Sequence, residues 1–225
     1  MAHDPDHHDH DHHDHDHHEH DDAKPHRHPI RADQDDTITT WRAMEIAIRG
    51  LLIEKGILTA DEVRRQVEDM DNRTPLQGAR VVARAWTDPE YRKLLLTDGN
   101  AACEAIGVDR GPYTLVVVEN TEQVHNVIVC TLCSCYPRWL LGLPPDWYKS
   151  RSYRSRVINQ PRDVLKEFGT TVPDDMIVRV HDSTADMRYL VLPKRPGGTD
   201  GWSEEKLAAL VTRDAMIGVA FVATP

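Results

Sequence analysis

Three cysteines lie within six residues: Cys130, Cys133 and Cys135 form a Cys-x-x-Cys-x-Cys segment. The segment directly follows an apolar, β-branched run, residues 124–129, which predicts a buried strand. The three sulfurs can meet only if the chain turns tightly at the end of that strand. In a reducing compartment such a cluster indicates a metal or redox site rather than a disulfide framework.

Several kinds of cysteine site compete as interpretations. Structural zinc needs four ligands, and an iron–sulfur cluster needs four cysteines. The other candidate ligands, Cys103, His125 and His181, are scattered singly along the chain. A thioredoxin-like Cys-x-x-Cys motif leaves Cys135 without a role. These interpretations stay open, but each either lacks an obvious fourth ligand or leaves one of the three clustered cysteines without a role.

A metal enclosed by the loop itself is the remaining alternative. If the chain wraps tightly around one ion, the peptide nitrogens of Ser134 and Cys135 come to metal distance. Amide nitrogens bind only when deprotonated, which calls for a strongly Lewis-acidic, in practice trivalent, metal. Three sulfurs and two amidates leave one coordination position open, where a substrate could be polarised or water activated.

Local signals divide the chain into a helical first half and a mixed second half. A broad apolar face begins at Thr40, Gly56 ends that helix, and Thr59 with Glu62 forms a capping box. Further helices are predicted over residues 78–86 and 161–168. Three more are predicted to begin at the capping residues Asp88, Asn100 and Ser203. Strands are predicted over residues 113–119, 124–129, 177–180, 189–192 and 217–222.

The predicted fold class is α+β, an extended N-terminal helical arm followed by a layered α/β domain of short strands. The predicted divisions are a tail at 1–30, the arm at 31–110 and a metal-binding catalytic domain at 111–225. The tail holds 12 of the 14 histidines and nine acids without hydrophobic periodicity, so we expect it to be disordered. It is either a metal-binding tail or a solvated segment.

Composition excludes several functions. The net charge is −10, and most of it falls in the tail, so no basic stripe indicates nucleic-acid binding. No apolar run approaches a membrane span, and the N-terminus is unlike a secretory signal, so we expect a cytoplasmic protein.

The sequence VHNVIVCTLCSCYP, residues 124–137, resembles the metal-binding segment of nitrile hydratase α subunits and of the related thiocyanate hydrolase γ subunits. The resemblance extends over most of residues 41–222. It includes ARVVARAWTDPEYR, LGLPPDWYKS, the YRSRV segment, RYLVLPKRPGGTDGWSEEKLAALVTRD and MIGVA. The chain is therefore identified as similar to this family, and the α+β fold is the one the family implies.

The resemblance implies a non-corrin cobalt(III) or non-haem iron(III) centre. Cys130, Cys133 and Cys135 match the sulfur ligands, and Ser134 and Cys135 match the amide nitrogens. In the family the sulfurs matching Cys133 and Cys135 are oxidised to sulfinic and sulfenic states, steps on the ordinary oxidation ladder of cysteine. Thr131 stands where cobalt-type members carry threonine, so cobalt is favoured over iron.

The activity implied is hydration of a nitrile to an amide. Oxidised Cys135 or an activated water is expected to attack the nitrile carbon, with Ser134 assisting through its hydroxyl. The implied partners are a β-type subunit in a hetero-oligomer and a metal-insertion activator protein. The alternatives are thiocyanate hydrolysis to carbonyl sulfide and ammonia and, from another class, a non-catalytic metal-handling protein whose tail is the working part.

Two positions depart from the nitrile hydratase pattern. Arg138 replaces the usual tryptophan, as in thiocyanate hydrolases, and a guanidinium there favours a small anion. The opposing interpretation pairs Arg138 with a carboxylate of the partner chain. The stretch 110–112, Arg-Gly-Pro, occupies the place of a glutamine found in many nitrile hydratases.

Other residues carry weaker predictions. Asp182 and Arg188 are expected to support the cysteine segment or a subunit interface, although a simple salt bridge explains Arg188 equally well. His125 and His181 are expected to be core or interface histidines, and Cys103 a small buried side chain. An aromatic cluster is predicted to form an interface; its members are Trp139, Trp147, Tyr148 and Tyr153.

Overall fold

A computed structural model describes residues 39–225, so the predicted tail at residues 1–30 lies outside the described residues. The helices are α1 (Thr40–Glu54), α2 (Ala60–Asp71), α3 (Leu76–Thr87), α4 (Pro89–Thr97), α5 (Gly99–Ala105), α6 (Arg138–Leu141), α7 (Asp146–Lys149), α8 (Arg151–Asn159), α9 (Pro161–Glu167), α10 (Glu204–Ala208) and α11 (Arg213–Ile217). The strands are β1 (Thr114–Glu119), β2 (Val124–Val129), β3 (Ile177–Asp182) and β4 (Met187–Leu192). Short strands mixed with helices make an α+β fold, as predicted.

The strands form two parallel pairs, β1 with β4 and β2 with β3. Five of the six residues of β2 are buried, as expected for a strand of a parallel sheet covered on both faces. The register pairs Val129 with Asp182. The carboxyl ends of β2 and β3 therefore lie side by side, where the cysteine segment begins.

The main core forms between the strands and helices from both halves of the chain. Small and β-branched side chains of α3 are fully buried against α10, α6 and α11, and α4 and α5 cover β1. Cys103 of α5 is fully buried in this core, in agreement with its predicted role. Helices α3, α4 and α5 thus belong to the main core, although their residues fall within the predicted helical arm.

The first two helices stand apart from this core and bury no residue. The predicted caps are present: Thr59 and Glu62 form a capping box, and Gly56 follows α1 with a positive φ of 67°. The apolar face of α1 is exposed, with Trp41 78 % accessible. In the described part of the chain, no helix is long and apolar enough to cross a membrane.

Two local predictions were wrong. The strand predicted over 217–222 is instead the end of α11 followed by irregular chain. Gly218 takes a φ of 90°, and a Cβ there would lie 2.0 Å from the Asn126 carbonyl oxygen, so a close backbone approach replaces a strand. The helix predicted from an Asn100 cap is capped by Asp98; the Asn100 side chain instead accepts from the Leu115 N–H, joining α5 to β1.

Candidate metal centre

The cysteine segment starts where β2 ends, and its first turn is held by the neighbouring strand. Cys130 is buried directly after Val129. Asp182, the last residue of β3, accepts hydrogen bonds from the Thr131 N–H at 2.9 Å and the Thr131 hydroxyl at 2.6 Å. The parallel register makes this contact possible across 51 positions of sequence, and it ties Asp182 directly to the cysteine segment.

The three sulfurs meet at one point. The Sγ atoms of Cys130 and Cys133 are 3.5 Å apart, those of Cys133 and Cys135 are 3.2 Å apart, and all three lie within 4.8 Å of one another. Cys130 is buried, Cys135 is half-buried and Cys133 is exposed. The cluster is therefore rooted in the core and opens toward the surface at Cys133.

The sulfurs share protons unequally in the metal-free chain. The hydrogen bond from the Cys135 thiol, together with that from Cys130 and the backbone N–H groups of Ser134 and Cys135, lowers the pKa of Cys133 to about 7. Burial, reinforced by the hydrogen bond to Cys133, raises the pKa of Cys135 to about 12. Cys133 is therefore the more acidic thiol of the pair, and Cys135 holds its proton more strongly.

The donor set fits a metal bound within the loop. The backbone N–H groups of Ser134 and Cys135 act on the Cys133 sulfur, which means that both amide nitrogens lie beside the sulfur cluster. Three thiolates are soft donors, two amide nitrogens become strong-field donors once deprotonated, and among residues 39–225 no further His, Cys, Asp or Glu joins the group. A fourth side-chain ligand, which structural zinc and an iron–sulfur cluster require, is missing from this group.

Side chains from α7 and α8 hold the loop from behind. The Tyr148 hydroxyl donates to the Cys135 carbonyl oxygen at 3.0 Å, and the Arg154 guanidinium donates to the Thr131 carbonyl oxygen at 3.2 Å. Neither residue was predicted to support the loop. Their position in the shared LGLPPDWYKS and YRSRV segments was the available signal.

The aromatic cluster lies mostly inside the chain rather than at an interface, and Trp147 is its one half-buried member. Trp139, Tyr148 and Tyr153 are each at least nine-tenths buried within the chain. The Tyr153 hydroxyl donates to the Ile128 carbonyl oxygen at 2.8 Å, so it anchors the strand that leads to Cys130. Tyr148 and Trp147 both pack against Tyr153, which supports the cysteine loop, whereas Trp139 packs against Tyr113.

An open cleft of about 560 Å³ lies over the cysteine loop. Its lining comprises Gln66, Met70, Arg73, Pro112, Tyr113, Cys133, Ser134, Cys135, Tyr136, Arg138, Trp139, Leu143 and Arg188. The lining holds three arginines and no carboxylate. Arg73 is paired with Asp69, whereas the Arg138 guanidinium has no hydrogen bond or ion pair within residues 39–225. The predicted substrate-binding arginine is therefore in the cleft and available.

Unlike the guanidinium of Arg138, that of Arg188 is held by contacts within the described chain. Arg188 is 6 % exposed; its guanidinium lies 4.0 Å from the centre of the Tyr113 ring and donates to the carbonyl oxygens of Thr184, Ala185 and Met187. No carboxylate pairs with it in the described chain, so the salt bridge that sequence analysis left open does not form there. Its charge favours the Cys135 thiolate, against the burial that raises the pKa of that thiol.

The two histidines lie outside the sulfur cluster. His125 is buried, with Nε2 2.7 Å from the Gly218 carbonyl oxygen and Nδ1 3.3 Å from the Asn120 amide. Nε2 of His181 lies 2.8 Å from the Asn126 Oδ1. His125 therefore joins β2 to the C-terminal segment as a core histidine, whereas the half-buried His181 joins β3 to β2.

The candidate side-chain ligands are all cysteines of one loop, which lies at the end of a parallel strand beneath an open cleft. Together with the α+β fold, this site defines the class of the protein as a metal-binding subunit. The chain belongs to the family described as nitrile hydratase, alpha chain, whose model matches residues 39–220. It is 54 % identical over 177 residues to the cobalt-containing nitrile hydratase subunit alpha of Pseudonocardia thermophila, covering 77 % of this chain and 86 % of that one.

Two other relatives are a thiocyanate hydrolase subunit and an iron-type nitrile hydratase. The thiocyanate hydrolase subunit gamma of Thiobacillus thioparus is 45 % identical over 197 residues, covering 82 % of this chain and 81 % of that one. A solved double mutant of the iron-type nitrile hydratase from Comamonas testosteroni Ni1 superposes with a TM-score of 0.78 at 42 % identity, covering 85 % of this chain and 93 % of that chain. The resemblance found in the sequence is thereby confirmed.

Proposed function

We propose that this chain is the catalytic subunit of a cobalt nitrile hydratase, which adds water across a C≡N bond to give an amide. The observation that carries the proposal is the convergence of three cysteine sulfurs within 4.8 Å at the floor of an open cleft. The 54 % identity to a cobalt-containing α subunit supports both the activity and the metal. Thr131 favours cobalt, although an iron-type enzyme is also a structural relative.

The metal would be held by the sulfurs of Cys130, Cys133 and Cys135 and by the amide nitrogens of Ser134 and Cys135. When bound, cobalt(III) would supply a Lewis acid beside the cleft. We propose that Cys133 and Cys135 are oxidised to sulfinic and sulfenic states, as the family resemblance implies, with an external oxidant of the dioxygen or peroxide class accepting the electrons. The Cys135 oxygen, or a water held by it and by the Ser134 hydroxyl, would then attack the substrate carbon as one C≡N π bond breaks and the nitrogen takes up the protons of the water consumed. Where the Cys135 oxygen attacks, that water would replace it on the sulfur as the amide leaves.

Nearby residues would keep these groups in place without reacting. Asp182 holds Thr131 at the start of the loop through two hydrogen bonds. Arg188, fixed by backbone carbonyls, places a positive charge beside Cys135, where it favours an anionic sulfur or sulfur-bound oxygen. Both roles need no movement during the reaction, because both side chains are already fixed by the strands.

Thiocyanate hydrolysis is the second candidate, and the free Arg138 guanidinium favours it. A cleft with three arginines and no carboxylate attracts a small anion more than a neutral nitrile. Thiocyanate, one water and one proton would give carbonyl sulfide and ammonia. The nitrile remains the first choice, because identity to the nitrile hydratase relative is higher than to the thiocyanate hydrolase relative.

We propose a β-type subunit as partner and a metal-insertion activator protein as a transient one. The support for the first is the apolar face of α1, whose side chains at Trp41, Ile48 and Leu51 are at least half exposed. Apolar surface of this kind on a helix without core contacts is typical of an interface between chains.

The test is turnover by the full chain, purified with its natural partner from cells supplied with cobalt. Amide from an aliphatic nitrile is expected; ammonia from thiocyanate instead would support the second candidate. Cys135→Ala should abolish turnover, whereas Cys103→Ala, which removes a buried thiol that does not line the cleft, should retain it. Cobalt-loaded protein that forms neither product would contradict both activities and favour the metal-handling alternative.

The substrate assignment has its own variant. Arg138→Met removes the cleft's free charge while keeping an unbranched side chain. If thiocyanate is the substrate, its KM should rise by about tenfold or more, since a charge-assisted contact is worth roughly 1.5–3 kcal/mol. If the nitrile is the substrate, its KM should change little, and Arg138 would then belong to the subunit interface.

A further inference from the structure

Cys135 supplies two groups to the proposed metal site, its sulfur and its amide nitrogen, yet it lies in irregular chain. No backbone N–H within residues 39–225 donates to its carbonyl oxygen. The Tyr148 hydroxyl, 3.0 Å away, is the donor that satisfies this carbonyl. The orientation of Cys135 therefore depends on a side chain from another element rather than on secondary structure.

Tyr148 is held firmly enough to fix its acceptor. The side chain is fully buried, and α7, which carries it, begins directly after Pro145. Its ring packs against Tyr136 at 5.2 Å and Tyr153 at 5.7 Å between ring centres. A buried phenol among other rings has no second position for its hydroxyl, so the direction of the hydrogen bond to Cys135 is set by the core.

Geometry links this carbonyl to the ligand atoms. The carbonyl carbon, the amide nitrogen and the Cβ that bears the sulfur are all bonded to the Cα of Cys135. Holding the carbonyl oxygen restricts rotation about the Cα–C bond, and because the three groups keep tetrahedral angles at Cα, it also limits how the amide nitrogen and the Cβ are oriented. Without this contact, the Cys135 backbone would lose the restraint that limits the direction from which its sulfur approaches the other two.

We propose that Tyr148 is a positioning residue that aims the sulfur and amide nitrogen of Cys135 at the metal. This inference rests on the proposed cobalt site. It predicts that loss of the hydroxyl weakens metal retention and alters the coordination of Cys135, while the fold is kept. Outer contacts that orient metal ligands typically change affinity by about 10- to 100-fold when removed.

The test compares Tyr148→Phe with Tyr91→Phe. Tyr91 is the matched control, because its buried hydroxyl also donates to a backbone carbonyl, that of Ala102 at 3.1 Å. This hydrogen bond joins α4 to α5, the two helices that cover β1. Both variants keep the ring and lose one buried hydrogen bond. They should therefore lose similar thermal stability, and only Tyr148→Phe should affect the cysteine loop.

The readouts are cobalt per chain after chelator challenge, the sulfur-to-cobalt absorption band and the oxidation state of Cys135 by peptide mass spectrometry. For Tyr148→Phe we expect cobalt loss to be faster by about tenfold, together with a shifted band and less oxidised Cys135. Behaviour identical to Tyr91→Phe in all three readouts would overturn the inference and leave the proposed function intact. Wild-type protein that retains no cobalt would overturn the proposed function and this inference together.

Discussion

The backbone at Gly111 leaves no room for a side chain, and we expect Gly111→Ala to destabilise the chain by about 2–4 kcal/mol. Gly111 takes a φ of 68°, and a Cβ built there would lie 2.3 Å from Cε2 of the Trp139 indole. Trp139 is 5 % exposed and lies in the lining of the cleft. The ring therefore cannot move aside without disturbing both the core and the cleft.

The magnitude has two parts, which a second glycine separates. Gly107 has the same φ of 68°, and a Cβ there would meet nothing within 4 Å. Gly107→Ala should therefore lower the free energy of unfolding only through the backbone conformation, by about 1 kcal/mol. A left-handed alanine is less stable by roughly 1–2 kcal/mol, and the lower entropy of the unfolded alanine chain offsets a few tenths of this. Gly111→Ala adds the clash with the indole, about 1–3 kcal/mol for overpacking.

The assay is urea unfolding of wild type and both variants, followed by far-ultraviolet circular dichroism. With a slope of about 2–3 kcal/mol per molar, the Gly111→Ala midpoint should fall by roughly 1 M, and the Gly107→Ala midpoint by less than half of that. Equal losses in the two variants would refute the steric reasoning. A Gly111→Ala protein as stable as wild type would refute the backbone reasoning as well.

Three further outcomes are expected. Asp182→Asn should reduce cobalt per chain, because an amide offers one acceptor oxygen for the two Thr131 donors; an unchanged metal content would count against that contact. In the metal-free protein, iodoacetamide should modify Cys133 at half its maximal rate near pH 7, and the rate of modification should fall at lower pH. Burial raises the pKa of Cys103 to about 12, so peptide mass spectrometry should show Cys103 unmodified at pH 8. Burial lowers the pKa of His125 below its ordinary 6.5, so the unfolded chain takes up the proton at a higher pH than the folded chain. The urea midpoint should therefore decrease as the pH is lowered from 7.5 to 5.5. The decrease should be smaller in His125→Gln.

Local structure was largely predictable because its causes are local. The capping box of Thr59 and Glu62 and the Asp88 cap before Pro89 depend on residues within three positions of one another. The strand over Val124–Val129 follows from its β-branched run. The strand predicted over 217–222 failed because β-branched composition carries no information about the backbone of Asn126, which approaches Gly218 from a distant part of the chain.

Some features of the candidate site also have local causes, and the sequence predicted these. The spacing of Cys130, Cys133 and Cys135 by itself determined that three sulfurs could meet, since a six-residue loop leaves them little room to separate. The sequence also placed Arg138 close to them, because it lies three positions beyond Cys135. These features depend on chain connectivity, which the sequence states directly.

Tertiary structure alone decided what surrounds the sulfurs. Asp182 reaches Thr131 only through the parallel register of β2 and β3, and Arg188 enters the cleft only because β4 pairs with β1. Tyr148 supports Cys135 because α7 packs its ring under the loop instead of exposing it to a partner. Such contacts are set by how separate elements pack, and a side chain's identity does not state which distant atom it will meet.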